Sequence, residues 1–206
     1  MNERRQELIV LLLTVMFCIA AWFLFDAPLA VFFRQYSGGS SWLGFWNAVT
    51  KAGQSEWYLV GGMAIFLAFR KRHRWRAVAG LFLFASVAIS GLAADLLKVI
   101  FGRARPMLLF DHRIYGLDGF HIEHEWTSFP SGHSATAMSA ALTLSLLFPR
   151  SRPLFIALGL LIAASRIVLD QHYLSDVAAG SMLGVATALI LYQRLFRPKL
   201  DEVRNA

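Results

Sequence analysis

Residues 77–101 read AVAGLFLFASVAISGLAADLLKVIF, apolar or small throughout except for Asp95 and Lys98 near the end. A helix needs about 20 residues to cross the hydrocarbon core of a bilayer, so this stretch predicts a membrane span. Working outward from it, Trp57–Phe69 is too short to span alone. That helix is expected to begin near Ser55, a suitable N-cap followed by Glu56. Glu7–Phe25 forms an earlier span closed by Asp26. Arg4 and Arg5 before it would also suit a signal peptide, but the apolar run is long for one and no clear small-residue cleavage site follows. It is read as a retained helix. Downstream lie Ser131–Phe148, a turn bracketed by Pro149 and Pro153, then Leu154–Leu169 and Val177–Phe196. The expected fold is all-α: a six-transmembrane-helix bundle, with residues 1–206 as a single domain.

Composition agrees. Hydrophobic residues make up 57% of the chain and charged ones only 16%, where soluble domains carry about a quarter charged residues. Mean hydropathy is +0.52. The single cysteine, Cys18, excludes a disulfide framework and any multi-cysteine metal site. The net charge of +7 would suit nucleic acid or anionic lipid, and its distribution chooses. With both termini cytoplasmic, the inner segments collect 13 of the 20 basic residues and four acids, leaving the inner side at +9 and the remainder at −2. That is the positive-inside pattern. The basic excess reports topology, and no nucleic-acid partner is expected. Residues 27–54, with Trp42, Phe45 and Trp46 among Gly and Ser, read as a loop at the membrane interface or as an ordinary capping loop. Gly180-x-x-x-Gly184 permits close helix approach, for dimerisation or, as favoured here, for packing within the bundle. The oligomeric state stays open.

Basic residues outside the inner segments then stand out. Lys98 ends the third span, Arg103 and Arg105 follow it before Pro106, and Arg166 ends the fifth. Taken singly, Lys98 and Arg166 have ordinary readings as snorkelling cations, and Asp95 as the ion-pair partner of Lys98 one turn later. Taken together with Pro130-Ser131-Gly132-His133 and Ser165-Arg166-x5-His172-x3-Asp176, they form a pattern. Lys98-x6-Arg105-Pro106 and these two segments resemble the three-part signature of the type 2 phosphatidic acid phosphatase (PAP2) and vanadium haloperoxidase superfamily. Every specified position matches in order and spacing, and the six-span layout extends the resemblance over nearly the whole chain.

Phosphoryl transfer is mainly positioning and charge stabilisation. Lys98, Arg105 and Arg166 supply a cationic clamp, the arginines with a bidentate fork. The backbone N–H groups of Ser131 and Gly132, opening a helix, offer an anion site. The resemblance implies that His172 attacks phosphorus to give a phosphohistidine while Asp176 holds its other ring nitrogen. It also implies that His133 protonates the leaving oxygen and then activates water. The same resemblance implies no cofactor and no metal, because arginines replace the metal clamp. Asp111, His112, Asp118, His121, Glu123, His124 and Glu125, on the outer loop 107–129, could otherwise attract a divalent ion; a solvated lid over the substrate headgroup is the favoured reading. One departure is Asp170, where the family often has glycine; a carboxylate just outside the clamp would repel a phosphate dianion.

The expected activity is hydrolysis of a membrane-lipid phosphomonoester or pyrophosphate at the extracytoplasmic face. Polyprenyl pyrophosphate, phosphatidylglycerol phosphate, phosphatidate and lipid A phosphate all fit. The expected partners are that lipid and the bilayer, and the expected location is a bacterial inner membrane, multi-pass, with the site toward the periplasm or exterior. The alternatives are a lipid phosphotransferase using the same intermediate, or a lipid-phosphate carrier without turnover. Intact His133, His172 and Asp176 count against a carrier. Haloperoxidase chemistry is set aside, since those relatives are soluble.

Overall fold

A computed structural model of the protein describes residues 3–36 and 39–205. Helices follow one another as α1 (Glu3–Leu24), α2 (Asp26–Gln35), α3 (Ser40–Lys51), α4 (Ser55–Phe69) and α5 (Arg74–Phe101), then α6 (Pro106–His112), α7 (Gly132–Leu147), α8 (Arg152–Val168), α9 (Leu174–Leu191) and α10 (Arg197–Asn205). A π-helical stretch, Tyr192–Phe196, joins α9 to α10. Among the described residues there is no strand, only an isolated bridge between Arg103 and Leu117. The all-α expectation holds.

Residues 27–54 are not a loop. They fold mostly as α2 and α3, and α2 turns 56° from the axis of α1 at Phe25. Pro28 falls in the first turn of α2, where its missing N–H costs no hydrogen bond. Trp42, Phe45 and Trp46 recur at i, i+3 and i+4, which gathers them on one face of α3; the Trp42–Trp46 and Phe45–Trp46 ring centroids are 5.5 and 5.2 Å apart. Glycine and serine at 39–41 only open that helix.

Three helical segments are long and apolar enough to cross a membrane: Arg74–Phe101, Pro149–Val168 and Leu174–Val203. The bent pair Leu8–Leu24 with Asp26–Gln35 makes a fourth when taken as one span. The other two expected spans, α4 and α7, have 15 and 16 residues, or roughly 22–24 Å at 1.5 Å per residue. The outward faces carry large apolar side chains such as Phe23, Leu92 and Leu96, each more than 60% exposed. Water-soluble monomers rarely show apolar surface on this scale.

The short α7 is central, packed against α5, α8 and α9, with α1 lying on α9 and α4 on α5. Its buried positions are mostly small, including Ala135, Ala137, Ser139, Ala140 and Ala141. Across from it, a Cβ on Gly180 would sit 2.2 Å from the Ser131 carbonyl oxygen, and one on Gly184 2.2 Å from that of Ala135. The two glycines therefore set the α7–α9 distance, which is the intrachain reading of their spacing. An apolar cluster of Phe82, Leu147, Leu191, Phe196 and Leu200 fills one end of the bundle. At the other end the C-termini of α3, α5 and α8 meet the N-termini of α7 and α9.

Candidate active site

A cavity of about 390 Å³ opens at that end, lined by Asp95, Lys98, Val99, Arg105, His124, Thr127, His133, Arg166 and His172. Each motif contributes a wall. Lys98 lies in the last turn of α5, paired with Asp95 at 3.4 Å. Arg105 immediately precedes α6, and His133 is in the first turn of α7. Arg166 ends α8, and His172 sits in the turn before α9. Arg105 is held by neutral acceptors alone: Nε donates to the His124 carbonyl (2.8 Å), Nη1 to that of Gln171 (3.1 Å) and Nη2 to that of Thr127 (3.2 Å). A guanidinium has five N–H groups, so two remain for a ligand. Burial draws Arg105 down to about 10, still cationic at neutral pH. Arg166 Nη1 donates to Thr50 Oγ1 at 2.6 Å, and its buried Nε has no partner among the described residues.

His172 is 3% exposed. Its Nδ1 lies 2.8 Å from the Ser128 carbonyl oxygen. A carbonyl only accepts, so Nδ1 carries the proton and Nε2 keeps its lone pair. Burial holds the imidazole well below its ordinary pKa, in the neutral form. Asp176 Oδ2 stands 3.6 Å from the same Nδ1, the nitrogen expected, and so pairs with it electrostatically at longer range than the Ser128 carbonyl. The carboxylate has closer donors as well. It accepts from Ser128 Oγ (2.6 Å) and, as the third residue of α9, from the Tyr173 backbone N–H (2.9 Å).

Ser131 departs from its expected role. Its N–H donates to the Asp176 carbonyl at 3.0 Å, and its hydroxyl caps α7 by accepting from Ser134 N and Oγ. Fully buried, it lies behind the cavity wall rather than in it. The N–H groups of Gly132 and His133, next along α7, have no acceptor among the described residues. A Cβ on Gly132 would lie 2.9 Å from Lys98 Nζ, so this glycine makes room for the ammonium beside the helix terminus.

The residue that sequence reasoning missed is Arg103. It is 0% exposed and joins Asp176 to Asp26, the latter at 2.7 Å. Its Nη1 donates to Ser175 Oγ at 2.6 Å. Asp26 in turn accepts from the Ser175 N–H at 2.9 Å and from the Ser175 hydroxyl. The guanidinium carbon lies 3.8 Å from the Trp22 ring centroid and 4.5 Å from that of Tyr173, within cation–π range. Burial works against this cation, and Asp176 and Asp26 more than offset it, raising its pKa. The available signal was Asp26 itself, an acid closing an apolar run, which requires a partner.

Residues 107–129 fold down onto the α5–α6 connection. Ala104 N donates to Gly116 O, Arg105 N to Glu125 O and Ser128 N to Arg103 O, at 2.8–3.1 Å. Gly102 has φ +50°, and a Cβ there would meet the Gly119 carbonyl oxygen at 1.8 Å, so only glycine fits. Of the acidic and histidine residues of this loop, only His124 reaches the cavity; the nearby Arg105 cation, with burial, lowers its pKa. His121 stacks on Trp126 at 4.7 Å, its ring nitrogens 2.9 and 3.0 Å from Asp118 and Glu123. Asp170 does not line the cavity. It has φ +53°, the left-handed conformation that glycine adopts without strain and aspartate tolerates.

Fold and site together define a helical membrane protein with a polycationic, histidine-lined cavity at one end of its bundle. The chain belongs to the PAP2 superfamily, whose family model matches residues 79–199. Among curated proteins it is similar to a lipid A 1-phosphatase of Rhizobium johnstonii, 34% identical over 87% of this chain and 77% of that protein. It is also similar to a decaprenylphosphoryl-5-phosphoribose phosphatase of Mycobacterium tuberculosis, 33% identical over 66% and 69%. A crystal structure of Aquifex aeolicus LpxE shares the fold, with TM-score 0.64 and 21% identity over 82% of this chain and 94% of that one.

Proposed function

We propose that the protein is a metal-independent phosphatase of a membrane lipid, working through a phosphohistidine at the extracytoplasmic end of a six-span bundle. The observation that carries this is the convergence of Lys98, Arg105, Arg166, His133 and His172 on one cavity, with the His172 tautomer set by a backbone carbonyl. In the first step the Nε2 lone pair of His172 bonds to phosphorus while the bond from phosphorus to the leaving oxygen breaks, and protonated His133 gives that oxygen its proton. In the second, His133 takes a proton from water, the water oxygen bonds to phosphorus, and the P–N bond breaks to release orthophosphate. The cations hold the equatorial oxygens through both steps. The phosphatase relatives support a lipid phosphate as substrate, lipid A phosphate among them.

Orientation follows from charge. Arg70–Arg76, Arg150, Arg152 and Arg194–Lys199 lie at the end of the bundle opposite the cavity, and positive residues stay cytoplasmic. In this reading both termini are cytoplasmic, the protein sits in a bacterial inner membrane, and the short α4 and α7 complete their crossings between longer neighbours. Single cysteines at Gly116 and His73, in a Cys18→Ala background, test this: an impermeant thiol reagent added to intact cells labels position 116 and spares 73, and the reverse pattern overturns the orientation.

The decisive experiment measures phosphate release by the purified protein in liposomes from lipid A, phosphatidate, phosphatidylglycerol phosphate and a polyprenyl pyrophosphate. Free phosphate stoichiometric with substrate loss, retained in EDTA, inhibited by orthovanadate and abolished by His172→Ala is expected. An active His172→Ala protein ends the mechanism. Activity lost to EDTA and restored by a divalent ion replaces the cationic clamp with a metal.

A further inference from the structure

We propose that Thr50 is a positioning residue for the clamp: its hydroxyl fixes Arg166 so that the Nε–Nη2 edge of the guanidinium faces the bound phosphate. The inference rests on the phosphatase reading and assigns a role to α3, which carries none of the motifs. Arg166 Nη1 donates to Thr50 Oγ1 at 2.6 Å. A guanidinium binds an oxyanion bidentately through two N–H groups on one edge. With Nη1 taken, the opposite edge is left, and Nε is buried with no partner among the described residues. An unpartnered N–H in a buried guanidinium is costly unless a ligand or water completes it, and Arg166 lines the cavity.

The turn that carries Thr50 is built to stay in place. Trp57 Nε1 donates to the Lys51 carbonyl (3.2 Å) and Tyr58 Oη to that of Ala52 (2.7 Å), so α4 ties down the last carbonyls of α3. Three residues on, a Cβ at Gly53 would lie 2.6 Å from Ile162 Cγ2 and 3.2 Å from His133 Cδ2. The turn therefore presses against α8 and the proposed acid–base histidine as well as holding Arg166. Without Thr50, the long Arg166 side chain regains rotamers that no other acceptor among the described residues restricts, and ordering it must be supplied by substrate binding.

The test compares Thr50→Val, which keeps shape and removes the acceptor, with Thr50→Ser, which restores it. Orthovanadate affinity and lipid phosphate release are measured on each purified protein in liposomes, with thermal unfolding as a folding control. Thr50→Val is expected to weaken orthovanadate binding and lower kcat/KM about 10- to 100-fold, the worth of a charged hydrogen bond, mostly in kcat. Thr50→Ser should stay within about threefold of wild type. In an Arg166→Lys background, Thr50→Val should cost little more, because the fork it orients is gone. Equal losses in the Val and Ser variants, or full additivity with Arg166→Lys, overturn the proposal. Should the wild type release phosphate from no lipid tested, the phosphatase reading fails while orthovanadate binding still decides the role of Thr50.

Discussion

Arg103 and Arg105 are two residues apart and do opposite things. Arg103 is enclosed by the Asp26 and Asp176 carboxylates and by aromatic faces. Arg105 is enclosed by three backbone carbonyls. Carboxylates neutralise a buried cation, so Arg103 locks α1, α2 and α9 together and has no charge to offer. Carbonyls orient a cation and leave its net charge in place, so Arg105 presents it to the cavity. Burial alone does not separate the two, since Arg105 is only 6% exposed. The formal charge of the acceptors does.

The comparison is most exposed to failure at Arg103. Arg103→Ala leaves two carboxylates buried without a counter-ion, and breaking such a pair costs about 3–5 kcal/mol. Denaturant unfolding in detergent micelles should record a loss of that size. Arg105→Ala leaves no buried carboxylate stranded. Its loss should appear in kcat/KM, about 10²–10³-fold, as for an oxyanion-stabilising donor, with the unfolding midpoint little changed. A stable Arg103→Ala protein beside an unfolded Arg105→Ala protein would invert the assignment.

Ser128→Ala is a finer probe of the same division. It removes the hydroxyl donated to Asp176 and keeps the carbonyl that accepts from His172. About 1–2 kcal/mol of stability should go with that hydrogen bond, while kcat falls less than about tenfold because the His172 tautomer is retained. A loss as large as that of His172→Ala would mean that the Asp176 carboxylate, not the carbonyl, orients the imidazole.

The ability to read this molecule from sequence tracks how local each feature is. Lys98, Arg105, His133, Arg166 and His172 stand at helix ends or in adjoining turns, where apolar runs break, so their convergence follows once the helices are in place. What holds them does not. The Ser128 carbonyl reaches His172, and Asp176 O captures the Ser131 N–H, only because the chain before α7 packs against the first turn of α9. Nothing in the spacing of either segment announces that approach. Likewise α3 hides its helical aromatic face behind glycine and serine, and with it Thr50. The all-α class and the shortness of α4 were legible from apolar run lengths, but α7, read as Ser131–Phe148, was not distinguishable from a full-length span by composition.

The smallest effect concerns Asp170, which lies outside the division between neutralised and available cations. Burial pushes its carboxyl from 3.8 up to about 6, against the opposing influence of Arg34, and buried Oδ1 has no partner among the described residues. A group whose folded-state pKa is raised binds its proton more tightly in the folded protein. Its contribution to stability is therefore fully present below the unfolded value of 3.8 and lost as pH rises through about 6. Asp170→Asn carries no charge at any pH and tolerates the same left-handed backbone. The difference in unfolding midpoint, Asn variant minus wild type, should therefore grow from about pH 4 to pH 6 and then level off. Asp170→Gly should show the same pH dependence with a constant offset, since relief of left-handed strain and added unfolded-state entropy do not depend on pH. Because the residue is only partly buried, the shift should be modest and should shrink with added salt to the extent that Arg34 contributes. A flat difference across that window would show that the Asp170 carboxyl titrates as an ordinary solvated acid.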